Sequence, residues 1–117
     1  MTPLLIKYPF DPTGEAPTNR ITGEIHTLPR ARNRSFALNA GPFYADSVII
    51  RTLPGNQVLE RNVHYRALYL YEYYTRKTGM PVTAVIHVFD EAIQGAVTVE
   101  YQVVGGEASS NLSLIHI

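Results

Sequence analysis

Val97, Val99, Tyr101 and Val103 stand at alternate positions, with Thr98, Glu100 and Gln102 between them. In an extended chain successive side chains point to opposite faces, so this order collects large apolar groups on one face and polar groups on the other. A helix would scatter the same residues around its axis, so the pattern selects a half-buried strand. The rhythm recurs at Val63, Tyr65, Ala67, Tyr69 and Tyr71, and again at Val82, Ala84, Ile86 and Val88. Eight Pro and eight Gly cut the chain into short runs between such segments. Short strands separated by turns predict an all-β domain, mainly an antiparallel β-sandwich of Ig-like general shape.

The remaining segments fit around that frame. Residues 4–8 form a first apolar run that reads as a strand. Residues 9–20 carry Pro9, Pro12 and Pro17 and read as an extended loop or arm, of the kind that often lies along a neighbour rather than on its own domain and through which the module would dock. Residues 21–28 read as a strand with Ile21, Gly23 and Ile25 on one face and Glu24 and His26 on an exposed polar one. Residues 35–38 give a short strand, and residues 43–53 another around Val48-Ile49-Ile50. Pro54 and Gly55 suit a type II turn with Gly55 at positive φ, from which residues 58–60 return. Residues 63–71 become apolar on both faces, which predicts a strand entering the interior. Residues 72–78 predict one short helix, stopped by Gly79 and Pro81 and bridging two strands across the top of a sheet. Residues 82–89, apolar on both faces, predict a central strand. The domain limits are then an arm and first strand at 1–20 and a sandwich at 21–106, with the 4–8 strand able to join either.

Composition narrows the function. Ten basic and ten acidic residues cancel, which disfavours a nucleic-acid coat. Arg30, Arg32 and Arg34 alternate in one loop without interleaved aromatics, and predict solvated or ion-paired side chains rather than a phosphate track. No segment approaches the roughly 20 apolar residues of a membrane helix. Met1 to Lys7 lacks a signal-peptide core, so a soluble protein made without classical export is expected. Cys is absent, which removes disulfides and thiolate metal sites. His26, His64 and His87 fall on separate predicted strands without metal-ligand spacing, so neither a metal nor a cofactor is expected. His87, between Val85 and Phe89 on its face, reads as a hydrogen-bonded core histidine, and His26 beside Glu24 as a polar surface pair. No nucleophile elbow or phosphate loop occurs, and the expectation is a binding module, not an enzyme. Tyrosine, with a flat apolar body and a polar tip, suits interfaces. The interface candidates are Tyr8, Phe10, Tyr69, Tyr71, Tyr73 and Tyr74. Of Tyr65, Tyr69, Tyr71, Tyr73 and Tyr74, two are expected exposed and three buried.

Leu112-Ser113-Leu114-Ile115-His116-Ile117 reads as the translation of the transposase end sequence used to fragment DNA for sequencing. On that reading residues 112–117 are a non-native tail, His116 has no function, and residues 107–111 open a linker to a further C-terminal region. A resemblance is carried by Tyr8-Pro9-Phe10-Asp11-Pro12-Thr13-Gly14, Gly23-Glu24-Ile25-His26-Thr27-Leu28-Pro29 and Gly41-Pro42-Phe43-Tyr44-Ala45-Asp46-Ser47. It continues in Val63-His64-Tyr65, Thr75-Arg76-Lys77-Thr78-Gly79 and Val99-Glu100-Tyr101-Gln102-Val103-Val104-Gly105-Gly106. In that order these segments resemble the N-terminal module of tailed-bacteriophage virion structural proteins. The resemblance implies a tail, baseplate or fibre-associated assembly module, made in the host cytoplasm and resident in the virion. Its partners would be other virion proteins or a second copy, with no nucleic acid, membrane or small-molecule ligand. A carbohydrate-binding module for host adhesion and a fragment of a cell-wall hydrolase are the alternatives. The first would show exposed aromatics in a groove beside Asp, Asn or Arg.

Overall fold

The computed structural model describes residues 8–106. In chain order its elements are β1 (Arg20–Leu28), β2 (Ser35–Ala37), β3 (Phe43–Tyr44), β4 (Ile49–Thr52), β5 (Tyr65–Leu70), α1 (Glu72–Thr78), β6 (Val82–Val88) and β7 (Gly95–Gln102). They make two antiparallel sheets, as the alternating pattern requires. One sheet has the order β1-β7-β4. The other centres on β6, with β5 on one side and β2 then β3 along the other. The predicted helix is observed over its predicted span, closed by Gly79 in the left-handed region, whose N–H donates to Thr75 O at 2.9 Å.

β7 supplies the spine of the core. Val97, Val99, Tyr101 and Val103 have no exposed surface and pack with Phe43, Ile50, Ile86 and Val88 from the other strands. Burying each such side chain favours folding by about 1.5–3 kcal/mol, so the period-2 rhythm is also the main source of stability. The 43–53 segment is not one strand. Phe43 pairs with Thr83 in the second sheet and bridges Val103 of the first. A 3₁₀ turn at Ala45–Ser47 then carries the chain across to β4. In the 53–57 turn the positive φ falls on Asn56 (+55°), not on Gly55. Asn tolerates that region because its short polar side chain bonds locally.

Two expectations about strand faces are corrected. In β1, Ile21 faces Tyr101 while Glu24 faces Val99, so one extra residue is inserted between them. Gly23 lies there at φ +72° with open space where a Cβ would stand. This β-bulge reverses the alternation beyond it. Glu24, His26 and Leu28 therefore turn inward, and Ile25 is exposed. In β5 the doubly apolar half stays at the surface, with Tyr69 72 % and Leu70 58 % exposed.

Residues 8–19 lie on their own domain, which corrects the expectation of an arm that reaches along a neighbour. Asp11 N–H donates to Val104 O and Gly106 N–H to Tyr8 O, each at 2.8 Å. Asn19, fully buried, donates from Nδ2 to Pro9 O (2.8 Å) and Val103 O (3.2 Å). Burial pushes the Asp11 carboxyl up, but bonds from Thr13, Ala16 and Gln102 outweigh it and hold the group below the ordinary carboxylate range. Gly105 meets this segment so closely that a Cβ would stand 2.0 Å from Pro9 O. The expected strand at 4–8, apart from Tyr8, lies outside the described residues, as do the expected linker at 107–111 and the tail at 112–117.

Candidate functional site

The turn into α1 brings aromatic rings together at the Val82 end of the second sheet. Tyr74 is buried and, with Tyr44, Val82, Val104 and Met80, forms a second small core. Around it stand Tyr73 (ring centroids 4.9 Å apart, near perpendicular), Tyr71 (5.3 Å) and Phe10 (6.2 Å). Such tilted and edge-on contacts favour the ring quadrupoles. Lys77 Nζ sits 4.8 Å from the Phe10 ring centre and 5.5 Å from that of Tyr73, a cation held over two π faces. Tyr73 is 62 % exposed, and Tyr71 and Phe10 also reach solvent.

The six predicted interface residues therefore divide. Phe10, Tyr71 and Tyr73 share one exposed cluster, and Tyr69 and Leu70 are exposed at the end of the neighbouring β5. Tyr74 is corrected to a buried anchor beneath that cluster. Tyr8 is half-buried against the main core. Of the five clustered tyrosines three are exposed and two, Tyr65 and Tyr74, are buried, the reverse of the expected division. Tyr69 also takes φ +61°, a conformation rare for a bulky residue and invisible in sequence. Among the described residues, β5 pairs over 66–70 with β6 alone. Its other edge is the kind of row of backbone donors and acceptors that accepts a further strand.

Glu24 and His26 are not a surface pair: His26 Nε2 lies 2.6 Å from Glu24 Oε2, and the ring stacks on Phe36 at 4.1 Å. The Glu24 carboxylate also accepts from Tyr101 Oη and from Asn39 N–H (3.0 Å), and Tyr101 Oη accepts from Ala40 N–H (3.1 Å). Both carboxylate oxygens are engaged, so the network ties β1 to β7 and to the turn after β2. Burial, then the bond to Glu24, pushes the Tyr101 phenol far above its usual range. His87 is hydrogen-bonded as expected, through Nδ1 to Ser35 Oγ at 2.7 Å, but on the outer face of its sheet and not in the core. His64 Nδ1 accepts from Glu60 N–H at 2.8 Å, and Nε2 lies 4.0 Å from Asp90. His26, His64 and His87 are each engaged locally, and among the described residues no cluster of His, Cys, Asp or Glu is suited to a metal ion.

Arg34 departs furthest from expectation. It is neither solvated nor ion-paired: it is 5 % exposed and donates to the backbone carbonyls of Pro29, Val88, Asp90 and Ile93. The planar guanidinium fork fastens two loops to the end of β6, a geometry an ammonium does not reproduce. Arg30 and Arg32 remain exposed.

The chain matches no family model, no curated protein and no solved structure.

Proposed function

We propose that this chain is an assembly module of a tailed-phage particle that docks on a neighbouring virion protein and carries no catalytic step. The observation that supports this most is the gathering of Phe10, Tyr71 and Tyr73 over buried Tyr74, with Tyr69 and Leu70 exposed beside them. Rings held in place by neighbours lose little freedom on binding, and tyrosines of this kind carry much of the energy of protein interfaces. The zero formal charge accords with a protein surface as partner rather than nucleic acid or membrane. The ordered resemblance over nearly all of residues 4–106 suggests the setting, a virion assembled in the host cytoplasm.

The test is co-expression with the proteins encoded beside it in the same phage genome, followed by light scattering on the purified species. The wild-type chain is expected to form a defined complex with one of them. A Tyr69→Ser/Tyr73→Ser double variant is expected to bind at least about tenfold more weakly at an unchanged Tm. A chain that stays alone with every virion protein of its phage overturns the reading.

A further inference from the structure

At the opposite end of β6 from the aromatic cluster lies a hollow of about 430 Å³, within the range of small-molecule sites of roughly 300–1,000 Å³. Its lining includes Arg32, Asn33, Ser35, His87, Phe89 and Glu91. None of these belongs to the docking surface.

The charge here is unbalanced. Arg34, in the wall, is a buried cation whose recorded partners are all carbonyl oxygens. Carbonyl dipoles orient toward a guanidinium without cancelling its net charge. Arg32 is exposed at the rim and has no ion pair among the described residues. Arg66, the register partner of His87, lies over the Phe89 ring at 5.1 Å, also without a carboxylate partner among the described residues. Arg66 stands outside the lining, which itself holds two cations, Arg32 and Arg34, against one carboxylate, Glu91. A surplus of positive charge in a concave site concentrates anions.

The neutral groups add a second requirement. When Ser35 Oγ–H donates to His87 Nδ1, the imidazole proton resides on Nε2, leaving a donor with no recorded partner among the described residues. Asn33 and Glu91 offer acceptors, and Asn33 a further donor. Phe89 gives an apolar ring surface beside them. Arg32 and Asn33 are both held at positive φ, +60° and +48°, a costly backbone of the kind found at ligand-holding loops. An oxyanion alone uses the cations and leaves Asn33, Glu91 and the ring without a role. A ring of hydroxyls bearing one carboxylate uses all of them.

We infer that this hollow binds a saccharide carrying a carboxylate, its anionic group toward Arg32 and its hydroxyls toward Asn33 and Glu91. The probes are glucuronate, glucose and inorganic phosphate, titrated calorimetrically into the full chain. Glucuronate is expected to bind at least about tenfold tighter than either of the others. Arg32→Gly, which keeps the left-handed backbone, is expected to weaken glucuronate binding about tenfold at unchanged Tm, and His87→Gln to weaken it also. Glucose binding as tightly as glucuronate removes the carboxylate from the argument. Phosphate binding as tightly removes the sugar. Undiminished binding by Arg32→Gly places the ligand elsewhere. Any of these outcomes overturns the inference.

Discussion

Arg34 organises more of this fold than any other polar side chain, because one planar group reaches four carbonyls belonging to separate loops and to β6. Hydrogen bonds from a charged donor are worth about 1.5–3 kcal/mol each, and lost partners inside a protein are expensive. Arg34→Lys keeps the charge and loses the fork, and is expected to cost roughly 2–3 kcal/mol in urea unfolding. The tyrosines make a second residue-scale prediction. Burial holds the phenols of Tyr44, Tyr65 and Tyr101 above their usual value, that of Tyr44 up to about 12, where the nearby Asp11 charge adds to the effect. A raised phenol means that the folded chain keeps protons which the unfolded chain releases above about pH 10. Stability is then fully present below that pH and falls as pH rises through it. Tyrosinate absorbance is expected to appear in two stages, the later one coinciding with loss of circular dichroism. A single smooth stage with the fold intact contradicts this.

At the scale of elements, strand rhythm was the most legible property. β7 and β6 run where apolar alternation places them, and α1 ends at the Gly that follows its basic turn. What alternation cannot convey is a change of phase. Gly23 inserts one residue, and every side chain of β1 beyond it changes sides. Glu24 and His26 thus become interior groups, although their spacing reads as a polar surface. A glycine inside a strand pattern is the one available signal of such a bulge. Gly23→Ala meets no atom and costs only the backbone conformation, about 1 kcal/mol of unfolding free energy measured with denaturant. The candidate site was legible in part for the same kind of reason. Composition drew attention to the tyrosines, but which of them lie buried depends on α1 folding over β6. Nothing local separates Tyr73 from Tyr74. Arg34 gave no local sign of its burial either, since its partners are supplied by two loops and the end of β6, which meet only after folding.

At the scale of the whole molecule, the Pro-rich segment is structural. Through Asp11 and Asn19 it closes one end of the first sheet and helps bury Gln102. Gly105→Ala drives a methyl group into Pro9 O, which is backbone and cannot rotate away. It is therefore expected to cost at least about 2 kcal/mol, well above the same change at Gly23, with a lower Tm as the readout. Equal costs at the two glycines speak against the close seating of residues 8–19.

The bond from Gly106 N–H to Tyr8 O has a consequence for connectivity. The backbone enters the described body and leaves it at one point, so the chain between forms a nearly closed circuit. A body of that kind is indifferent to where the circuit is cut, provided that the cut falls on an exposed bend. Joining residue 106 to residue 8 through a short flexible bridge, and opening the chain between Gly55 and Asn56, is expected to give the same β-rich spectrum and a cooperative melt. By the same reasoning the body can be spliced into a surface loop of another protein as a pendant held at a single root, free to turn about it without disturbing the host.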